Sequence, residues 1–299
     1  MTTSRSTLNS ATLVPGLRKI YFNTYDQWPE EFRGYLNVDT SKRSFEEQMK
    51  VAAFGLTQVK PEGTGTTYED LTDRAPIRLT HVARSLGFRV TREAMDDELY
   101  GVINKAPAAL SRSVRQSKET IGASPFNNAF SASFTGLDGV ALCHDAHPLL
   151  GGGTFDNKLT ADLTPTSLRA ALVAAEKYVD DKGMPIMVKM RWLIVPPDLM
   201  YKAREILGSA NVPYKADNEI NVLRNELQSM VLHFLTSTTA WFVIADKGQH
   251  SLQYFERVTP TFENADDFDT GDSKFKTYHR DSAGFWDHFG VIGSDGTAA

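Results

Sequence analysis

From Ser44 to Gly122 the chain reads as a two-stranded arm with a polar tip, followed at once by one long helix. Such an arm has little of its own to pack against, so a chain built around it stabilises itself on its neighbours. Side-chain alternation defines the strands. Met49, Val51 and Ala53 point one way going out, and Ile77 and Leu79 alternate with Arg78 and Thr80 coming back. Between them, Val59 to Pro76 carries Pro61, Gly63, Gly65 and a cluster of Thr, Glu and Asp, which suits a long wet tip rather than a core. On the return, the apolar phase moves from odd positions (Ile77, Leu79) to even ones (Leu86, Phe88, Val90). That shift predicts a bulge or bend near Arg84 and Ser85.

From Arg92 the period becomes helical: Met95, Leu99, Val102 or Ile103, Ala106, Leu110 and Val114 form one stripe. Glu93, Asp96 and Asp97 near its start and Arg112, Arg115 and Lys118 near its end complement the helix dipole. With Gly122 as the C-terminal cap, the helix would be roughly 45 Å long. Pro107 removes a backbone donor inside it and predicts a kink or a break into two helices. The plainer alternative is a pair of ordinary core helices.

The 299 residues are 41% hydrophobic, enough for one large or two medium domains with a real core. A formal net charge of −5 excludes a histone-like, DNA-wrapping role and leaves only weak, non-specific contact with nucleic acid. The lone Cys143 excludes an intramolecular disulfide and a four-cysteine metal site, and suits a reducing cytoplasm. No apolar stretch is long enough for a secretion signal or a membrane span, so no membrane contact is expected. Residues 1 to about 25, rich in Ser and Thr, read as an arm or tail rather than a packed element.

Beyond the long helix, Ser124 to Asn157 is loop-rich. Thr164 as N-cap, Pro165 in the first turn, the stripe Leu168, Ala171, Leu172, Ala175 and Val179, and the stop Gly183 with Pro185 predict a helix. Trp192 to Val195 reads as a buried strand, and Pro197 opens a helix through Leu207 that Gly208 ends. Strands follow around 227–235, 240–245, 251–258, 275–280 and 285–292; adjacent strands without intervening helices indicate an α+β fold with antiparallel pairing.

Candidate chemistry is sparse. Cys143, His144, Asp145 and His147 could in principle bind a metal or pair a nucleophile with a base, but such partners are usually distant in sequence, and a zinc site needs more ligands. A polar loop with hydrogen-bonded imidazoles is the simpler account. His81, His233, His250, His279 and His288 are scattered without a paired spacing. Gly151, Gly152 and Gly153 lack the Lys-Ser/Thr that closes a phosphate loop, and Gly63 and Gly65 fail the dinucleotide pattern. The run Glu263, Asp266, Asp267, Asp269 and Asp272 misses the calcium-hand register, with Gly271 one place early and Tyr278 at the twelfth position. No catalytic, cofactor-binding or metal residue is therefore assigned, and the chain is not expected to be an enzyme.

The order of elements, with "LDGVALCHDAHPLLGGGTFDNKLT" from Leu137 to Thr160, "RWLIVPPDLMYKAREIL", "TSTTAWFVIADK" and "KFKTYHRDSAGFWDHFGVIGSDG", resembles the tailed-phage major capsid protein of the Hong Kong 97 fold, in the Mu-like major head subunit branch. The resemblance spans nearly the whole chain. It implies an N-terminal arm and lead-in at 1–43, an extended loop at 44–91 and a peripheral domain with its spine helix at 92–159. An axial domain at 160–252 and return strands with the C-terminal segment at 253–299 complete the division. It further implies pentamers and hexamers closing an icosahedral shell around double-stranded DNA, assembled in the bacterial cytoplasm and ending in the virion. A portal is expected, and a decoration protein is compatible with it.

The type member carries a long cleaved scaffolding segment and a lysine–asparagine crosslink. Here some forty residues precede the arm, so the expectation is a separate scaffolding protein without removal of a large prodomain. Lys60 near the arm tip is an ordinary loop lysine, and non-covalent contacts are expected to hold the shell. The alternatives are an encapsulin-like nanocompartment enclosing a cargo enzyme, a hydrolase or metal enzyme using the 143–147 cluster, and a tail or filament protein.

Overall fold

The computed structural model describes residues 10–52, 54–97, 101–213, 219–267 and 269–297. In chain order these form α1 (Ser10–Asp26), α2 (Phe32–Tyr35), β1 (Asn37–Thr40), β2 (Phe45–Gln48), β3 (Ile77–Thr80), β4 (Val82–Val90), α3 (Arg92–Asp96) and α4 (Val102–Asn127). Then come β5 (His147–Pro148), β6 (Thr154–Phe155), β7 (Lys158–Leu159), α5 (Pro165–Ala175), β8 (Met190–Val195) and α6 (Met200–Gly208). The chain closes through β9 (Gln228–Val231), β10 (Trp241–Ala245), β11 (Leu252–Asp266), β12 (Ser273–Phe285) and β13 (Val291–Ser294). The fold is α+β, as the sequence indicates.

Two larger sheets organise the body. The first runs β1-β11-β12-β4, and the second β7-β13-β10-β8-β9. Pairing is not purely antiparallel: β1 with β11, β8 with β9 and β13 with β7 are parallel. Helices α5 and α6 cover the second sheet, with Leu168, Ala171, Ala203 and Ile206 against Leu193, Trp241 and Val243 in one apolar core. All five residues of β10 are buried, as a central strand covered on both faces requires. Helix α5 starts on a capping box in which Thr164 and Ser167 satisfy each other's backbone donors. It stops at Ala175 rather than at Gly183, because Val179 already bridges Pro185 around a turn where Gly183 takes a positive φ.

Helix α4 packs beside β11 and β12, and α1 lies along α4. The N-terminal tail reading is thus corrected from Ser10 onward, while its first nine residues lie outside the described residues. Val14, Leu17, Tyr21 and Tyr25 recur at helical spacing, Leu17 and Tyr21 are buried with Leu110, Phe262 and Phe275, and the Tyr21 hydroxyl meets Thr277 Oγ1 at 2.8 Å.

The long helix is corrected in three respects. The break falls around Gly101, which takes a positive φ (66°), and α4 continues past Pro107. Leu99 and the Met95 and Val102 side chains of the expected stripe lie outside the described residues. Gly122 does not cap α4: it lies inside it, where a Cβ would collide with that of Phe32, and Asn128 follows the last turn. Arg115 and Lys118 are mid-helix and buried, paired with Glu30 and Glu256, so they tie α4 to the chain before α2 and to β11 rather than answering its dipole.

The two-stranded arm is present with its pairing earlier than the alternation implied. β2 pairs antiparallel with β3, Phe45 opposite Thr80 and Gln48 opposite Ile77, and a bridge between Val51 and Asp73 extends it. Ala53 lies outside the described residues. The phase change comes from a break at His81, not from a bulge at Arg84 and Ser85. β4 leaves the arm there and pairs with β12 in unbroken register from Val82–Asp281 to Val90–Ser273. The strands expected at 251–258 and 275–280 are really one long hairpin, β11–β12, and β13 is shorter than 285–292. No helix among the described residues is long and apolar enough to cross a membrane.

Candidate functional site

Two features stand out on this scaffold, and they meet: the root of the arm and a buried histidine cluster beneath it. At the root, Lys50 lies 2.8 Å from Asp181 Oδ2 and ion-pairs with Asp287 Oδ2, while Arg74 Nη2 donates to Asp181 Oδ1 at 2.6 Å and to the Pro148 carbonyl at 2.5 Å. Asp181 is buried, and the Lys50 and Arg74 side chains both lie against it. Backbone bonds from Ala52 to Thr72 and from Arg74 to Lys50 lace the two arms of the hairpin together. At the bend, the His81 Nδ1 meets Ser282 Oγ at 2.9 Å, and Arg280 donates to the His81 carbonyl. Leu79 fills the space over Gly284, which has no Cβ to obstruct it.

Beyond the root the character inverts. Phe54, Leu56, Val59, Tyr68 and Leu71 are exposed, Val59 at 94% and Tyr68 at 90%. Between the Val51–Asp73 bridge and the tip, the described residues form no helix or strand; a turn closed by Thr64 N–H on the Pro61 carbonyl carries Gly63 at positive φ.

The sequence cluster at 143–147 is split by the fold. Cys143 is buried beside Gly293, and burial pushes its thiol far above the ordinary range, so it supplies no thiolate. His144 lies near the surface, its Nδ1 accepting from the Ala146 N–H and 3.2 Å from Asp145. His147 points inward, with Nδ1 2.5 Å from Asp138 Oδ2 and Nε2 2.8 Å from Asn157 Oδ1. The cysteine–histidine enzyme reading thus loses both its nucleophile and its base.

His288, unpaired by sequence spacing, stacks on His147 with ring centroids 3.8 Å apart. Asp138 is held well below the usual carboxylate range: burial alone would raise it, but hydrogen bonds from His147 and His288 outweigh that. Asp287 falls to about 2 against its own burial, through His288 and Lys50.

Asp138, His147 and His288 bring three ligand-type atoms within 4.8 Å. Stacked rings send their lone pairs along parallel rather than convergent lines. The Asp138–His147 separation of 2.5 Å is that of a hydrogen bond, below the roughly 3 Å between two ligands on one ion. As they stand, these groups fit a proton and not a cation.

The other histidines do not join the cluster. His233 meets Glu31 at 2.6 Å, His250 Nδ1 accepts from the Leu252 N–H and burial lowers it to about 4, and burial also lowers His279, which lies 3.8 Å from Asp281. Gly152 and Gly153, at positive φ, form the turn between β5 and β6. Of the acidic run, Glu263 and Asp266 belong to β11, and Glu263, Asp267 and Asp272 face Lys276, Lys274 and Arg89.

The comparisons agree with this architecture. The family model described as "Phage capsid protein" matches residues 77–293, and the chain belongs to that family. Its fold is the Hong Kong 97 capsid fold, and the protein is a structural capsid subunit, not an enzyme. Among solved structures, one titled as the mature capsid of bacteriophage PhiM1 aligns with TM-score 0.58 at 10% identity, covering 89% of this chain and 87% of that one. A Mycobacterium phage Che8 chain aligns with TM-score 0.54 at 15% identity over 91% and 93%. A virus-like particle from Pyrococcus furiosus aligns with TM-score 0.53 at 11% identity over 93% and 97%. No curated protein matches the sequence.

Proposed function

We propose that this major capsid subunit forms hexamers and pentamers of an icosahedral shell around double-stranded DNA, and that its arm tip lies over the adjacent subunit. The observation carrying this is the row of exposed apolar side chains from Phe54 to Leu71 on an arm whose root is fixed by buried ion pairs. Burying a side chain of this size is worth about 1.5–3 kcal/mol, which the subunit forgoes until a neighbour covers the tip. In this reading residues 44–91 supply the extended loop, with the part leaving the body ending at His81. Residues 92–159 with 253–299 build the peripheral domain, 160–252 the axial domain facing the capsomer centre, and 1–43 the N-terminal lead-in. A separate scaffolding protein and a portal act in assembly in the host cytoplasm, a decoration protein is compatible with the outer face, and DNA contact is weak and non-specific, as the net charge of −5 favours.

Negative-stain imaging of the purified chain, with and without its scaffold, tests the shell. Closed particles are expected; uniform monomers or open filaments under every condition would refute it. Particles recovered with protein cargo and no nuclease-protected DNA would favour the nanocompartment alternative.

A further inference from the structure

The loop from Trp286 to Gly290 presents successive side chains to two different sites. Asp287 and Phe289 face the arm: Asp287 Oδ2 pairs with Lys50, whose ammonium stands 4.0 Å from the Phe289 ring centre. His288, between them, turns inward onto His147 and is almost wholly buried. Whatever fixes His288 therefore also fixes the seat of Lys50.

The proton inventory of that inner site follows from Asn157. Its Nδ2 donates to the Leu142 and Val291 carbonyls at 2.9 and 3.0 Å, so its Oδ1 must accept, and it takes the His147 Nε2–H. The other nitrogen of that ring faces Asp138 Oδ2 at 2.5 Å. A lone pair aimed at a carboxylate is repulsive; a proton between them makes the contact a charge-assisted hydrogen bond. His288 Nδ1 lies 3.4 Å from the same Asp138 oxygen and 3.0 Å from Asp287 Oδ1. Two charged rings stacked this closely repel, so the pair takes up one extra proton as a coupled unit.

We propose that the stacked His147–His288 pair is a proton-binding site that controls the arm: with the proton bound, the 286–290 loop is pinned and holds Lys50, and when the proton leaves, the arm root loosens. The groups facing the pair support this balance. Asp138 approaches from the 137–140 loop and Asp287 from the pair's own loop. His144 stands with its ring 6.0 Å from that of His147, and Tyr178, after α5, with its ring 6.5 Å from that of His288. Burial keeps the Tyr178 phenol and the Cys143 thiol neutral. On the outer side lie Lys50 and Arg74 with Asp181. Three carboxylates then face two basic side chains, and one imidazolium completes neutrality.

The sign follows from His288, which sits above its ordinary value because Asp138 and Asp287 outweigh the lowering effect of burial. The clamp is complete below the unfolded imidazole value of about 6.5 and is lost as pH rises through the higher folded value.

Hydrogen exchange on the isolated full-length subunit, normalised to intrinsic rates and to buried strand β10, tests this independently of whether shells form. The Ala52 and Arg74 amides should lose protection as pH rises from about 6 to about 9 and the pair gives up its proton. Lys50→Met should show the low protection at both pH values while imidazole NMR still reports the raised titration. His288→Gln should be low at both; should it not fold, the wild-type series and Lys50→Met decide. Protection at the arm root independent of pH, two neutral rings near pH 6, or a stoichiometric transition metal in the purified protein would each overturn the proposal.

Discussion

The two ends of the arm follow opposite physical rules. At the root, Lys50, Arg74, Asp181 and Asp287 form an ion-pair network packed against the body, and backbone bonds cross the hairpin. At the tip, apolar side chains such as Val59 and Tyr68 stand in water, and the described residues from 54 to 72 form no helix or strand. A root can be satisfied within one subunit, because ion pairs and hydrogen bonds need only local partners. An apolar tip cannot, because its stabilisation comes only from area removed from water. The contrast therefore separates what the subunit needs in order to fold from what it needs in order to assemble.

The largest expected effect comes from removing the tip and sparing the root. Deleting residues 59–68 should leave the subunit's thermal midpoint almost unchanged and abolish closed particles in electron micrographs. Breaking the root instead should act on the subunit itself. Asp181→Ala strands Arg74 and Lys50, both only partly buried, and should cost about 3 kcal/mol in denaturant unfolding, with faster proteolysis of the arm. Gly122→Ala sharpens the comparison from the body. Helix propensity alone favours alanine, but the added methyl collides with Phe32, so unfolding should report a loss of about 1–3 kcal/mol. Thr164→Ala, which removes half of the α5 capping box, should cost about 1 kcal/mol and leave assembly intact. Smallest of all, Lys60→Ala should change neither particle yield nor the denaturing-gel pattern.

Where one local rule operates alone, the sequence was readable. Alternation disclosed the arm although its paired strands begin at Phe45, and Thr164 with Pro165 disclosed α5. Reading failed where one residue type serves two ends. Gly122 signals a helix stop as readily as a close helix crossing, and only the position of Phe32 decides between them. The N-terminal helix was hidden by its Ser- and Thr-rich surroundings, although Leu17 and Tyr21 carried the period. The phase slip before Leu86 was real, but its cause, a strand changing sheets at His81, depends on β12 nearly two hundred positions away. For the same reason the site was only half visible. His147 stood out beside Cys143, whereas Asp138, Asn157, Asp287 and His288 converge on it only through folding. Neither the spacing nor the composition of the 143–147 segment carries that information.

The central claim is that the root belongs to the subunit and the tip to its neighbour. Comparing amide exchange of residues 54–72 in isolated subunits and in assembled shells tests it most directly. The account predicts that the tip becomes protected only in shells, while Ala52 and Arg74 are already protected in the free subunit. A tip equally protected in both states, or unprotected in the shell, would contradict it.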